Sequence, residues 1–161
     1  MKKIALLVLV LVIFACEEKL DDKRLSVKKE IKVESITSEM GCENCGMNLK
    51  KFISTSHAVK MKNGDSHFYC SINCSTVAWE ALKENAESVF AIDYGLTKYF
   101  PVKEVHYVIG CNLRGTMTKI SKFAFTNLDK AESFKSTFSG KEIVNYDGAF
   151  DMSMEEITSR K

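Results

Sequence analysis

The sequence predicts an α+β fold, two tandem ββαβ units with antiparallel hairpins packed on helices, behind a signal peptide and a charged tether. Three observations carry it. Lys62-Asn63-Gly64-Asp65 is a hairpin turn signal between two short apolar runs. Helical apolar stripes follow Ser71 and Thr126, each residue suited to capping a helix. The order hairpin, helix, strand occurs twice, with weak echoes such as Phe68-Tyr69-Cys70-Ser71 against Phe123-Ala124-Phe125-Thr126.

The chain of 161 residues opens with Met1-Lys2-Lys3 and an unbroken apolar run from Ile4 to Ala15. Spanning a bilayer takes roughly 20 residues, so the run is too short for an ordinary membrane helix and fits a secretory signal over 1–15. Ile13-Phe14-Ala15-Cys16 resembles a bacterial lipobox, implying cleavage before Cys16 and lipid on its sulfur and new amine. Without the first fifteen of its 161 residues, the mature chain has 146, with 21 basic against 21 acidic. A neutral body gives no electrostatic hold on a membrane, so the lipid is the anchor. Neutrality also argues against a nucleic-acid partner.

From Glu17 to Glu39, 13 of 23 residues are charged and none is aromatic, so 16–39 reads as the lipidated Cys16 and a solvated tether. Folding is expected from Met40, with the first unit over 40–100, the second over 101–150, and an exposed acidic tail over 151–161.

In the first unit a two-residue type I′ turn sets Met61 against Ser66, Val59 against Phe68 and His57 against Cys70. Ser71 caps a helix whose stripe is Cys74, Val77/Ala78 and Ala81/Leu82, and Ser88 to Tyr94 returns as a strand. The second unit has strands at Val105 to Gly110 and near Met117 to Phe123. Its helix is capped by Thr126, with Asp129 at the capping-box position and Gly140 as its stop. A strand from Glu142 to Tyr146 closes it.

Chemistry concentrates in sulfur. Cys42-x2-Cys45 and Cys70-x3-Cys74, 24 residues apart, suit a closed thiolate site in which a knuckle meets a helix start. Cys74 lies in a first helical turn, where the dipole favours thiolate. An exported protein also forms structural disulfides, and Cys42/Cys45 could be a redox pair, so both readings compete with metal. Met47 beside Cys45 and Met117 in a turn add thioethers, which favour Cu(I) over hard ions. Met61 reads as core filler. His57, opposite Cys70, is a candidate extra ligand.

Cys45-Gly46-Met47, Phe68-Tyr69-Cys70-Ser71, Tyr107-Val108-Ile109-Gly110, Gly115-Thr116-Met117 and Phe123-Ala124-Phe125 resemble, in order, the NosL family. That resemblance implies two ββαβ units in an exported lipoprotein that binds Cu(I) and helps supply copper to nitrous oxide reductase. It implies Cys45, Met47 and Met117 as Cu(I) ligands. Cys42, Cys74 and Cys111 are cysteines that typical members lack, and the four-cysteine spacing is similar to a TRASH-type metal knuckle. The expected function is therefore a non-enzymatic, membrane-anchored Cu(I) metallochaperone, facing the periplasm or at the cell surface. A zinc-holding structural or sensing protein and an exported thiol oxidoreductase are the alternatives.

Overall fold

The computed structural model describes residues 30–159. The apolar leader, Cys16 and most of the tether lie outside the described residues. Two antiparallel sheets and three helices make up the fold. The first sheet contains β1 (His57–Met61), β2 (Ser66–Tyr69), β3 (Ala86–Asp93) and β4 (Lys98–Pro101), in the order β2-β1-β3-β4. The second contains β5 (His106–Ile109), β6 (Lys122–Phe125) and β7 (Glu142–Val144), in the order β6-β5-β7. Helix α1 (Ile72–Leu82) joins β2 to β3, α2 (Leu128–Thr137) joins β6 to β7, and α3 (Tyr146–Thr158) ends the fold. Both predicted ββαβ units are present, with β4 and α3 as additions.

The hairpin register differs from the expected one. His57 pairs with Tyr69, Ala58 with Phe68 and Val59 with His67. The cause is Gly64: its amide bonds Met61 O at 2.9 Å and its φ is +99°, while Met61 N bonds Asp65 O at 2.9 Å. That is a three-residue loop ending on a left-handed glycine, one residue longer than the type I′ turn. The one-residue slip inverts the faces of β2 relative to β1. It leaves Cys70 just past the pairing, free to join another element.

Helix α1 has Ser71 as its N-cap, accepting from Cys74 N at 3.3 Å. Cys74, Ala78 and Leu82 of the predicted stripe pack against the first core, but Val77 is 48% exposed, and Asn73 and Thr76 are buried as well. They are buried because α3 packs along α1, with Trp79 and Phe150 edge to face at 6.3 Å. The residues after Ala149 are thus not an exposed tail. Asn145 caps α3 by accepting from Gly148 N, and Ala149, Ser153 and Glu156 form its buried stripe at helical spacing. Ahead of Met40, Ile31 and Ile36 already belong to the first core.

Three further differences have simple causes. Asn127, one residue after Thr126, is the cap of α2 and accepts from Lys130 N. The Glu142–Val144 strand stops early because Asn145 starts a helix. The strand expected from Met117 begins only at Lys122, because Met117 has φ +53° and the Lys119 and Ile120 amides bond the Glu156 carboxylate instead of a ladder.

The two sheets meet at Asp93, the last residue of β3. Its buried carboxylate accepts from Gly95 N and Leu96 N on one oxygen, and from Thr126 N and Oγ1 on the other. Tyr94 N donates to Ala124 O of β6 at 2.8 Å. The Tyr94 ring enters the aromatic core of the second unit, 5.0 Å from both Phe123 and Phe134.

Candidate metal centre

The first half of the centre is a knuckle made by main-chain bonds. Cys42 N donates to Met47 O at 2.8 Å and Gly46 N donates to Cys42 O at 2.7 Å, with Gly46 at φ +73°. Only glycine adopts that conformation at little cost, so Cys45-Gly46 turns both sulfurs to one side. Glu43 N bonds Phe68 O, fastening the knuckle to β2. The second half follows directly from β2: Cys70 ends the hairpin and Cys74 lies in the first turn of α1.

These elements bring all four predicted thiols together. Cys45 Sγ and Cys70 Sγ are 3.6 Å apart, Cys70 and Cys74 3.6 Å, and Cys74 and Cys45 3.7 Å. Every sulfur lies within 4.8 Å of the others, Cys42 included. A tetrahedral ion with sulfurs at about 2.3 Å has edges of roughly 3.8 Å, so the Cys45, Cys70 and Cys74 separations suit one thiophilic ion with Cys42 within reach as a fourth sulfur. The four stand as free thiols. Cys42, Cys70 and Cys74 are buried and Cys45 is half-buried, so the cluster has one open corner.

The electrostatics favour a cation. Hydrogen bonds from Cys70 and Cys74 pull the Cys42 thiol well below the ordinary range. The hydrogen bonds linking Cys70 to Cys42 and Cys74, together with burial, push Cys70 far up. Cys74 is pushed up to about 12, chiefly through its bond with Cys42. One negative charge is therefore easy to hold and further charge is resisted until a positive ion compensates it. Asn44, which sequence reasoning did not single out, hydrogen-bonds Cys74 and lowers it slightly against that trend.

The thioethers sit apart from this cluster. Met47 and Met117 line one cleft of about 610 Å³ with Phe52, Arg114 and Thr116 among its walls, and none of the four cysteines lines it. Cleft and cluster adjoin at the knuckle, which Met47 closes. Met117 is 39% exposed at the tip of its loop. Met61 is core, as expected.

His57 is not in the cluster, which corrects the expectation of an extra ligand. Both ring nitrogens are engaged: Nδ1 with Thr55 O at 3.0 Å and Nε2 with Tyr107 Oη at 2.8 Å. Burial pushes its pKa down to about 4, so the ring is neutral, donating from Nδ1 and accepting from the Tyr107 hydroxyl. The hairpin slip is the reason, since it pairs His57 with Tyr69 and not with Cys70. Cys111 also lies elsewhere, packed against the aromatic core of the second unit.

Residues 32–154 match the NosL family. The chain belongs to the NosL family. All four clustered thiols, Met47 and Met117 fall within the NosL match. A solved structure with the same fold is that of the copper chaperone NosL from Shewanella denitrificans, at 20% identity and a TM-score of 0.55. The similarity covers 70% of this chain and 90% of that one. No curated protein matches the sequence.

Proposed function

We propose that this NosL-family chain is a lipid-anchored, extracytoplasmic Cu(I) metallochaperone, not an enzyme, that passes copper to nitrous oxide reductase. The observation that supports it best is the four-thiol cluster with one open corner, Cys45. Thiolate and thioether donors suit a soft monovalent ion. Cu(I) is satisfied by fewer than four sulfurs, so an incoming ligand could replace protein thiols one at a time, entering at Cys45. Family membership and the copper-chaperone description of the Shewanella protein point the same way. Cys16, outside the described residues, would carry the lipid that keeps the chain at the membrane.

Zinc is the second reading, favoured by sulfur separations close to a tetrahedral thiolate edge. The two are separated by loading the protein with Cu(I) without oxygen and adding copper-free nitrous oxide reductase and excess Cu(I) chelator. Delivery predicts that copper reaches the reductase despite the chelator. Loss of all copper to the chelator, with zinc held stoichiometrically instead, supports the closed zinc site.

A further inference from the structure

Met117 is flanked by two threonines, and both are tied to the segment that carries Cys70 and Cys74. On one side the Thr116 hydroxyl meets Thr55 Oγ1 at 2.7 Å, and Thr55 Oγ1 donates to Cys70 O at 2.8 Å. On the other, Thr118 Oγ1 lies 2.9 Å from Glu156 Oε1, while Glu156 Oε2 accepts from Asn73 Nδ2, the residue before Cys74, at 3.2 Å. Glu156 further accepts from Lys119 N at 3.0 Å, and from the buried Lys122 Nζ at 2.6 Å. Loop, thiol segment and C-terminal helix are thus one hydrogen-bonded assembly.

The loop is built to be held. At Gly115 a Cβ would stand 2.5 Å from Thr118 Cγ2 and 2.9 Å from Ser121 Cα, so its coil closes only around glycine. Met117 itself occupies the left-handed region at φ +53°, an uncommon state for a methionine that the surroundings must impose.

We propose that Thr55 and Glu156 are positioning residues that hold the Met117 loop against the segment carrying Cys70 and Cys74, and thereby bias the centre toward Cu(I) over zinc. The inference rests on the copper-binding reading above and deepens it. A thioether offered from the cleft contributes to a soft ion and adds little for zinc satisfied by thiolates. The anchors do not touch the ion. They act through the loop, as outer partners of metal ligands do.

The test compares Cu(I) and Zn(II) affinities, by anaerobic chelator competition, in the full chain and in three variants. Thr55→Val removes one anchor and Thr55→Ser restores its hydroxyl. The double variant Lys122→Met/Glu156→Leu removes the other together with the buried ammonium it pairs with. Cu(I) affinity is expected to fall roughly tenfold or more in Thr55→Val and in the double variant, the size usual for losing an outer partner. Zinc affinity should stay unchanged and Thr55→Ser should recover. Equal losses for both metals, or an unchanged Cu(I) affinity, overturn the positioning role. A parent chain that binds neither metal at its thiols overturns the copper reading and this inference with it, and does so before any variant is measured.

Discussion

Cys45 Sγ lies 3.6 Å from Cys70 Sγ, although 25 positions separate them in the chain. The contact joins the knuckle to the end of the hairpin and makes the half-buried Cys45 the open corner of an otherwise enclosed cluster. Cys45→Ser is expected to weaken Cu(I) binding and slow its transfer while leaving the thermal midpoint of the metal-free protein unchanged. Cys70→Ser, at a fully buried thiol, should also lower metal-free stability by about 1–2 kcal/mol. Calorimetry of the metal-free variants beside anaerobic copper titration checks both.

His57 gives the fold an acid sensitivity of its own. Its pKa is about 4 when buried and 6.5 when free, so between those values the unfolded chain binds more protons. Stability is full above the free value and is lost as pH falls toward 4, by roughly 3 kcal/mol in total. Glu156 adds a second, lower window. Burial pushes its carboxyl up, but the Lys122 ammonium, the Lys119 amide and the Thr118 hydroxyl outweigh that and hold it at about 2. Its contribution is present above the ordinary carboxylate value and disappears as pH falls through 2. In His57→Gln the loss between pH 6.5 and 4 should flatten and the lower one should persist, as denaturant titration across pH would show.

Asp93 is expected to be the costliest polar residue at the junction of the sheets. Removing its carboxylate orphans donors from Gly95, Leu96 and Thr126. Asp93→Ala should destabilise by about 2–4 kcal/mol, measured by urea unfolding.

The proposed membrane attachment rests on lipid at Cys16. Among the described residues no helix is long and apolar enough to cross a membrane. A Cys16→Ala chain should leave the membrane pellet for the soluble fraction in cell fractionation. Continued pelleting would rule out lipid as the anchor.

Much of this was legible in the sequence because local chemistry dictated it. Cys42-x2-Cys45 followed by glycine can make a knuckle, and Ser71 before a helix places Cys74 in a first turn whatever the rest does. What escaped was set by contacts between distant residues. Asn63-Gly64 fits a two-residue turn equally well, and nothing nearby in the sequence distinguishes that from the longer loop that displaces His57. Helix α3 hid because polar Ser153 and Glu156 interrupt an inward face that otherwise carries Tyr146, Ala149 and Phe150. Glu156 looked like a solvated tail acid, since its partners Lys122, Thr118 and Asn73 are 34 to 83 positions away.

The central claim, one thiol-rich centre that prefers Cu(I), is tested most directly by competition on a single sample. The full chain, filled with zinc without oxygen, is titrated with Cu(I) while released zinc is followed with a zinc indicator. The account predicts that one Cu(I) per chain expels one zinc and that Cys70→Ser abolishes the exchange. Zinc that stays bound while Cu(I) remains in solution would contradict it.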